Sequence, residues 1–122
     1  MTIETALQAD RADLAVADWL QARMLGELPE IVSHAVKVDY FLSLVMMDGL
    51  KLAVDNNQDE VLAIIDAFRA VGLEQQARWI DEAVEEGDVD AVEQAFFARA
   101  GQVERANHAF IRTNLSAFQA LD

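Results

Sequence analysis

The chain contains no cysteine. Disulfides, thiolate zinc sites and cysteine nucleophiles are excluded, and with them a disulfide-stapled secreted module. Proline occurs once, at Pro29, and glycine five times. So few breakers cannot serve a many-turned β-sandwich or barrel, but they suffice to end a handful of helices. The longest strongly apolar run, YFLSLVMM at residues 40–47, is flanked by Asp39 and Asp48. It is far shorter than the roughly 20 residues a membrane span requires. The opening MTIETALQADRADLA has no basic segment followed by an apolar one. No secretory signal is expected, and the expected location is the cytoplasm. Basic residues are scarce: nine against 22 acidic ones, for a formal charge of −13. Such a field repels nucleic-acid phosphates and anionic membrane surfaces, and attracts a basic protein or a cation.

What is present favours helix. The 122 residues are 53% hydrophobic, which suits one ordered domain spanning residues 1–122. Alanine, Leu, Gln, Glu and Arg are strong helix formers. Within residues 12–28, Leu14, Ala17, Gln21, Met24, Leu25 and Leu28 share one stripe at helical spacing, and Val16, Trp19 and Leu20 extend the apolar surface beyond it. Pro29 is placed to open the next helix, 30–47, whose latter half is apolar nearly all round and so expected at the centre. Met46 and Met47 read as core filler. Asp48-Gly49 reads as a break before a short helical piece, LKLAVDN. Asn57 and Glu60 have the spacing of a capping box for a helix running to about Val71, and Gly72 fits the position just past its end. A further helix covers about 73–86, and a last one about 90–120, with Asp88 and Asp90 as caps and Gly101 as a weak point. No β-alternation of useful length appears. The expected architecture is an all-α, compact single domain of five or six helices.

The stretch IDEAVEEGDVDAVEQ, residues 80–94, concentrates the negative charge, and no Lys or Arg occurs between Arg78 and Arg99. At about 100° per residue, Glu74, Asp81 and Glu85 fall within about 40° of one another, and Glu82 and Glu86 follow on one side. Asp88, Asp90 and Glu93 carry the charge around a turn. Negative charge near a helix N-terminus is favourable, which accounts for the last three. Asp81, Glu82, Glu85 and Glu86 lie towards a C-terminus, where the helix dipole disfavours them. The eight residues form a candidate partner-binding ridge of spaced anions, loosely like a phosphate backbone. The plainer reading is a solvated face.

Catalytic and metal constellations are weak. No Gly-x-Ser-x-Gly elbow and no glycine-rich phosphate loop occurs, so no catalytic residue and no cofactor is assigned, and the chain is not expected to be an enzyme. Both histidines follow a glutamate by four residues, as Glu30/His34 and Glu104/His108. On a helix each pair shares a face and could offer two metal ligands. Carboxylate-bridged di-iron bundles use Glu-x-x-His instead, and an exposed or hydrogen-bonded histidine is the commoner outcome. Asn107 and Asn114, one heptad apart, could specify a register or a partner helix, or simply bond backbone or water.

The middle of the chain, VDYFLSLVMMDGLKLAVDNN followed by VLAIIDAFRAVGLEQQARWIDEAV, resembles the DNA-mimic-protein family and its bacterial relatives over about residues 36–86. In that family a helix leads through an Asn-Gly-Gly-type turn into a short aromatic helix ending in Asn. Here the turn is Met47-Asp48-Gly49, Leu52 and Val54 hold the aromatic positions, and the short helix ends at Asn56-Asn57. Ala67, Gly72, Ala77, Ile80 and Ala83 hold the later family positions. The resemblance implies an all-α fold, often dimeric, and surface carboxylates that imitate DNA phosphates on the DNA-binding face of a regulator. The expected function is therefore that of an acidic, non-enzymatic interaction protein with a basic, DNA-binding partner. The alternatives are a metal-binding helical protein built on the Glu/His pairs, and a helical dimer of purely structural role.

Overall fold

The computed structural model describes residues 1–85 and 89–122. Among them the chain forms nine helices and no strand: α1 (Ile3–Gln8), α2 (Ala12–Gln21), α3 (Glu30–Asp48), α4 (Leu50–Asp55), α5 (Val61–Ala70), α6 (Glu74–Glu85), α7 (Asp90–Ala98), α8 (Ala100–Thr113) and α9 (Leu115–Gln119). The all-α expectation holds, but five or six helices was too few. Part of the excess lies at the C-terminal end, where one long helix was expected. There the backbone leaves helical geometry at Arg99 (φ −114°, ψ 17°) and at Asn114 (φ −115°, ψ 32°), dividing the segment into α7, α8 and α9. Gly101, the anticipated weak point, lies inside α8. The Asn114 side-chain amide instead donates to the Phe110 carbonyl at 2.9 Å, the same oxygen that its backbone N–H reaches at 3.1 Å. The unforeseen α1 is capped by Thr2, whose hydroxyl oxygen accepts from the Thr5 N–H at 3.2 Å.

Two apolar cores share α3. Val32, Ala35 and Val36 enter one core with Trp19, Leu20, Ile111 and Phe118. Val38, Phe41, Leu42 and Val45 enter the other with Ile64, Phe68, Ile80 and Phe96. Helix α8 bridges the same two cores, giving Val103 to one and Ile111 to the other. Aromatic pairs knit each core: Phe41 meets Phe68 edge-on at 6.0 Å, Phe68 meets Phe96 at 6.1 Å, and Trp19 meets Phe118 at 6.0 Å. Such pairs contribute roughly 0.5–1.5 kcal/mol beyond their burial. At the first core Asp122 Oδ1 accepts from the Trp19 indole at 2.8 Å and from the Ile3 N–H at 3.0 Å, joining three separate elements.

Burial of Trp19 decides which face of α2 turns inward. Val16, Trp19 and Leu20 are buried, while Leu14 is 55% exposed and Leu25, beyond the helix end, is 97% exposed. The stripe of Leu14, Ala17, Gln21, Met24, Leu25 and Leu28 is thus divided: Leu14, Gln21 and Leu25 are exposed, while Met24 and Leu28 pack partly buried against the core that holds Trp19. Met46 and Met47, at 52% and 76% exposure, are likewise surface residues and not core filler. Asn57 does not cap α5; its amide bonds back to the Ala53 carbonyl of α4 at 2.8 Å, and Glu60 stands at the cap position. Val89 stands before α7, so Asp90 is the first helical residue and not the cap.

Two glycines make the sharp turns. Gly72 (φ +91°) closes α5 with the Leu73 N–H on the Phe68 carbonyl at 2.8 Å and its own N–H on the Arg69 carbonyl at 3.0 Å. This is a Schellman ending, and Leu73 completes it by packing in the core that holds Phe68. Gly49 (φ +87°, ψ 162°) divides α3 from α4 in a region nearly closed to other residues. A Cβ there would lie 2.8 Å from Glu93 Oε2, whereas one on Gly72 meets nothing within 4 Å. Gly72→Ala should therefore cost about 1 kcal/mol, and Gly49→Ala about 2–3 kcal/mol, because strain and a displaced carboxylate add. Urea unfolding of both variants checks the order; equal costs contradict the assigned role of Glu93.

Candidate functional site

Helix α6 buries Gln76, Ala77, Ile80 and Ala83. That choice, forced by the 3.6-residue period, turns Asp81, Glu82 and Glu85 to solvent, where all three are exposed. Asp81 and Glu85 are one turn apart, as are Glu82 and Glu85 within the tolerance of helical neighbours. Among the described residues no basic group lies within ion-pair distance of them. These three carboxylates form the uncompensated part of the ridge.

The other ridge residues have different surroundings. Glu74 pairs with Arg69 at 3.4 Å across the α5–α6 turn. Glu93 turns inward and accepts the Leu50 N–H at 2.8 Å, supplying the acceptor that the first turn of α4 lacks. Asp90 is exposed in the first turn of α7. Glu86 and Asp88 lie outside the described residues. The negative charge nonetheless dominates this half of the chain: thirteen acidic residues and three basic ones lie between Asp48 and Glu93.

The histidine pairs stay apart. His34 Nε2 lies 3.7 Å from Glu30 Oε1, and its ring meets Phe110 edge-on at 6.5 Å. His108 is half-buried on α8 beside a groove, with its pKa lowered first by burial and then by Arg112, against an opposing effect of Asp13. Among the described residues no group of three or more His, Cys, Asp or Glu side chains could hold a metal ion. The two pairs therefore do not build the metal site that their spacing allowed.

In the sequence Asp39 stands only as a flank of an apolar run, whereas Asn107 reads there as setting a register or bonding backbone or water. Asp39, on α3, is half-buried, and burial together with the nearby Glu104 pushes its pKa up to about 6. Asn107 is 3% exposed; its amide donates to the Ala35 carbonyl at 3.0 Å, and its Oδ1 has no hydrogen-bond partner. Asp39 was visible as a flank of YFLSLVMM, but its closeness to Glu104 joins positions far apart in the chain.

The chain belongs to the DMP19-like protein family, whose model matches residues 26–122. No curated protein and no solved structure matches it. The family match extends well beyond the 36–86 segment that carries the resemblance. No helix among the described residues is long and apolar enough to cross a membrane.

Asp39 generates a pH prediction. Its folded pKa of about 6 lies above the ordinary 3.8, so the folded chain holds this proton more tightly than the unfolded one. The group is neutral to stability below the lower value, destabilises progressively as pH rises through that window, and exerts its full penalty above it. Asp39→Asn should raise stability by about 1–2 kcal/mol at pH 7.5, after allowance for solvent screening. The gain should vanish near pH 4. Thermal melts of both proteins across that range check it; a pH-independent difference contradicts the assignment.

Proposed function

We propose that this chain is an acidic, non-enzymatic interaction protein that occupies the basic DNA-binding face of a DNA-binding protein, imitating the phosphate backbone. The observation that carries this reading is the exposed, unpaired set Asp81, Glu82 and Glu85 on α6. The helix dipole disfavours carboxylates at that end, and among the described residues none of the three has an ion pair that would explain it. Membership of the DMP19-like family supports the same direction. The net charge of −13 adds long-range attraction for a basic surface and repulsion for nucleic acid itself.

The physical steps are ordinary ones. Long-range attraction speeds encounter, and the spaced carboxylates then meet Lys and Arg side chains that otherwise contact phosphates. Arginine binds a carboxylate bidentately, much as it binds a phosphate oxygen pair. Binding should weaken as ionic strength rises, because exposed charges are screened within about 10 Å at 0.1 M salt. The proposed place of action is the cytoplasm, where such partners are found.

Charge reversal tests the site. Asp81→Lys, Glu82→Lys and Glu85→Lys together should leave the helical content and melting behaviour nearly unchanged, since surface substitutions usually alter stability by about 0.5 kcal/mol or less. Basic DNA-binding proteins retained by the wild-type chain from nuclease-treated lysate should not be retained by the triple variant. Equal retention by both removes α6 as the binding surface.

A further inference from the structure

The outward stripe of α2 does not face open solvent alone. Leu14, Ala17 and Gln21 form one wall of a groove of about 360 Å³, which α3 and α8 complete. That volume lies in the range of small-molecule sites. Its apolar lining includes Leu42, Met46 and Met47, and four of its polar groups are carboxylates, which only accept when ionised. Asp39 and Glu104 stand together on the α3–α8 side, and Asp13 and Asp18 on α2. Asp13 already pairs with Arg11 at 3.0 Å, but among the described residues no basic group lies within ion-pair distance of Asp18, Asp39 or Glu104. His108 is the titratable base of the lining, and its lowered pKa keeps it neutral at physiological pH.

Asn107 supplies the second, independent feature. It lines the same groove, is 97% buried, and leaves Oδ1 without a donor. A buried acceptor left unbonded costs roughly 1–3 kcal/mol, so a ligand that brings an N–H to it recovers that loss. The required ligand is thus cationic, donates hydrogen bonds, and carries methylenes for Leu14, Met46 and Met47. A bare divalent ion fits poorly: it wants six or more oxygen ligands, and no group of three ligating side chains is assembled among the described residues. Acidic groups on both walls favour a chain with ammonium groups at both ends over a tethered side chain bearing one.

We propose that the groove between α2, α3 and α8 binds a free aliphatic polyamine, with a primary ammonium beside Asp39 and Glu104 that donates to Asn107 Oδ1. The site shares no residue with the α6 ridge, so it stands or falls separately from the proposed function. The cation also relieves the repulsion from Glu104, which adds to burial in raising the Asp39 pKa in the free protein.

Titration of the isotopically labelled full chain with spermidine, followed by NMR at fixed ionic strength, tests the proposal. Saturable shifts of the Asn107 side-chain amide and of the Asp39 and Glu104 backbone amides are expected. The double variant Asp39→Asn, Glu104→Gln should weaken binding about tenfold or more; neither change threatens the fold, since Glu104 is exposed and the first is expected to stabilise at neutral pH. Shifts spread over Asp81, Glu82 and Glu85 and unchanged in the double variant overturn the proposal as counter-ion condensation. Equal shifts with magnesium, or binding of a lysine peptide without binding of spermidine, overturn it as well.

Discussion

The structure depends on the burial of α3 along both of its halves. Its first half closes one core with Trp19, Ile111 and Phe118, and its second half closes another with Phe68, Ile80 and Phe96. Every other helix is held by one core or the other, and α8 spans both beside α3. Apolar burial contributes roughly 25 cal/mol per Å², and it must offset the self-repulsion of a chain with a charge of −13. That constraint explains the small number of polar intrusions. Gln76 and Asn107 are the buried polar residues among those described, and each bonds at least once within the fold.

Carboxylates meet three fates on this frame. Some are structural: Glu93 completes the start of α4, and Asp122 joins Ile3 to the Trp19 indole. One is costly: Asp39 sits half-buried beside Glu104 with no basic group within ion-pair distance among the described residues. The third group, Asp81, Glu82 and Glu85, is exposed and does neither. A group that neither supports the fold nor is balanced within it is where an outside partner is sought. The same logic marks the groove, where the costly carboxylate and an unbonded amide oxygen lie together.

Local features were legible in the sequence. The Gly72 ending, the break at Asp48-Gly49 and the outward turn of Asp81, Glu82 and Glu85 all follow from periodicity and backbone chemistry within a few residues. What was not legible depends on distant contacts. Leu14 and Trp19 lie on one helix with similar apolar claims, and only the meeting of Trp19 with Phe118 and Asp122 decides between their faces. Glu93 looked like a ridge residue because its partner, the Leu50 N–H, is 43 positions away. Asn57 had the spacing of a cap for α5, yet the Ala53 carbonyl behind it won the bond. Met46 and Met47 looked like core because they end an apolar run, but the helix carries them past the core into the groove.

Mimicry makes a stronger claim than acidity: the partner's DNA and this chain must compete for one surface. The most direct measurement is a titration of duplex DNA into the complex of this protein with its captured DNA-binding partner, followed by sedimentation or anisotropy at fixed salt. The account predicts mutually exclusive binding, with DNA displacing the protein and no species containing all three. A stable ternary complex contradicts it.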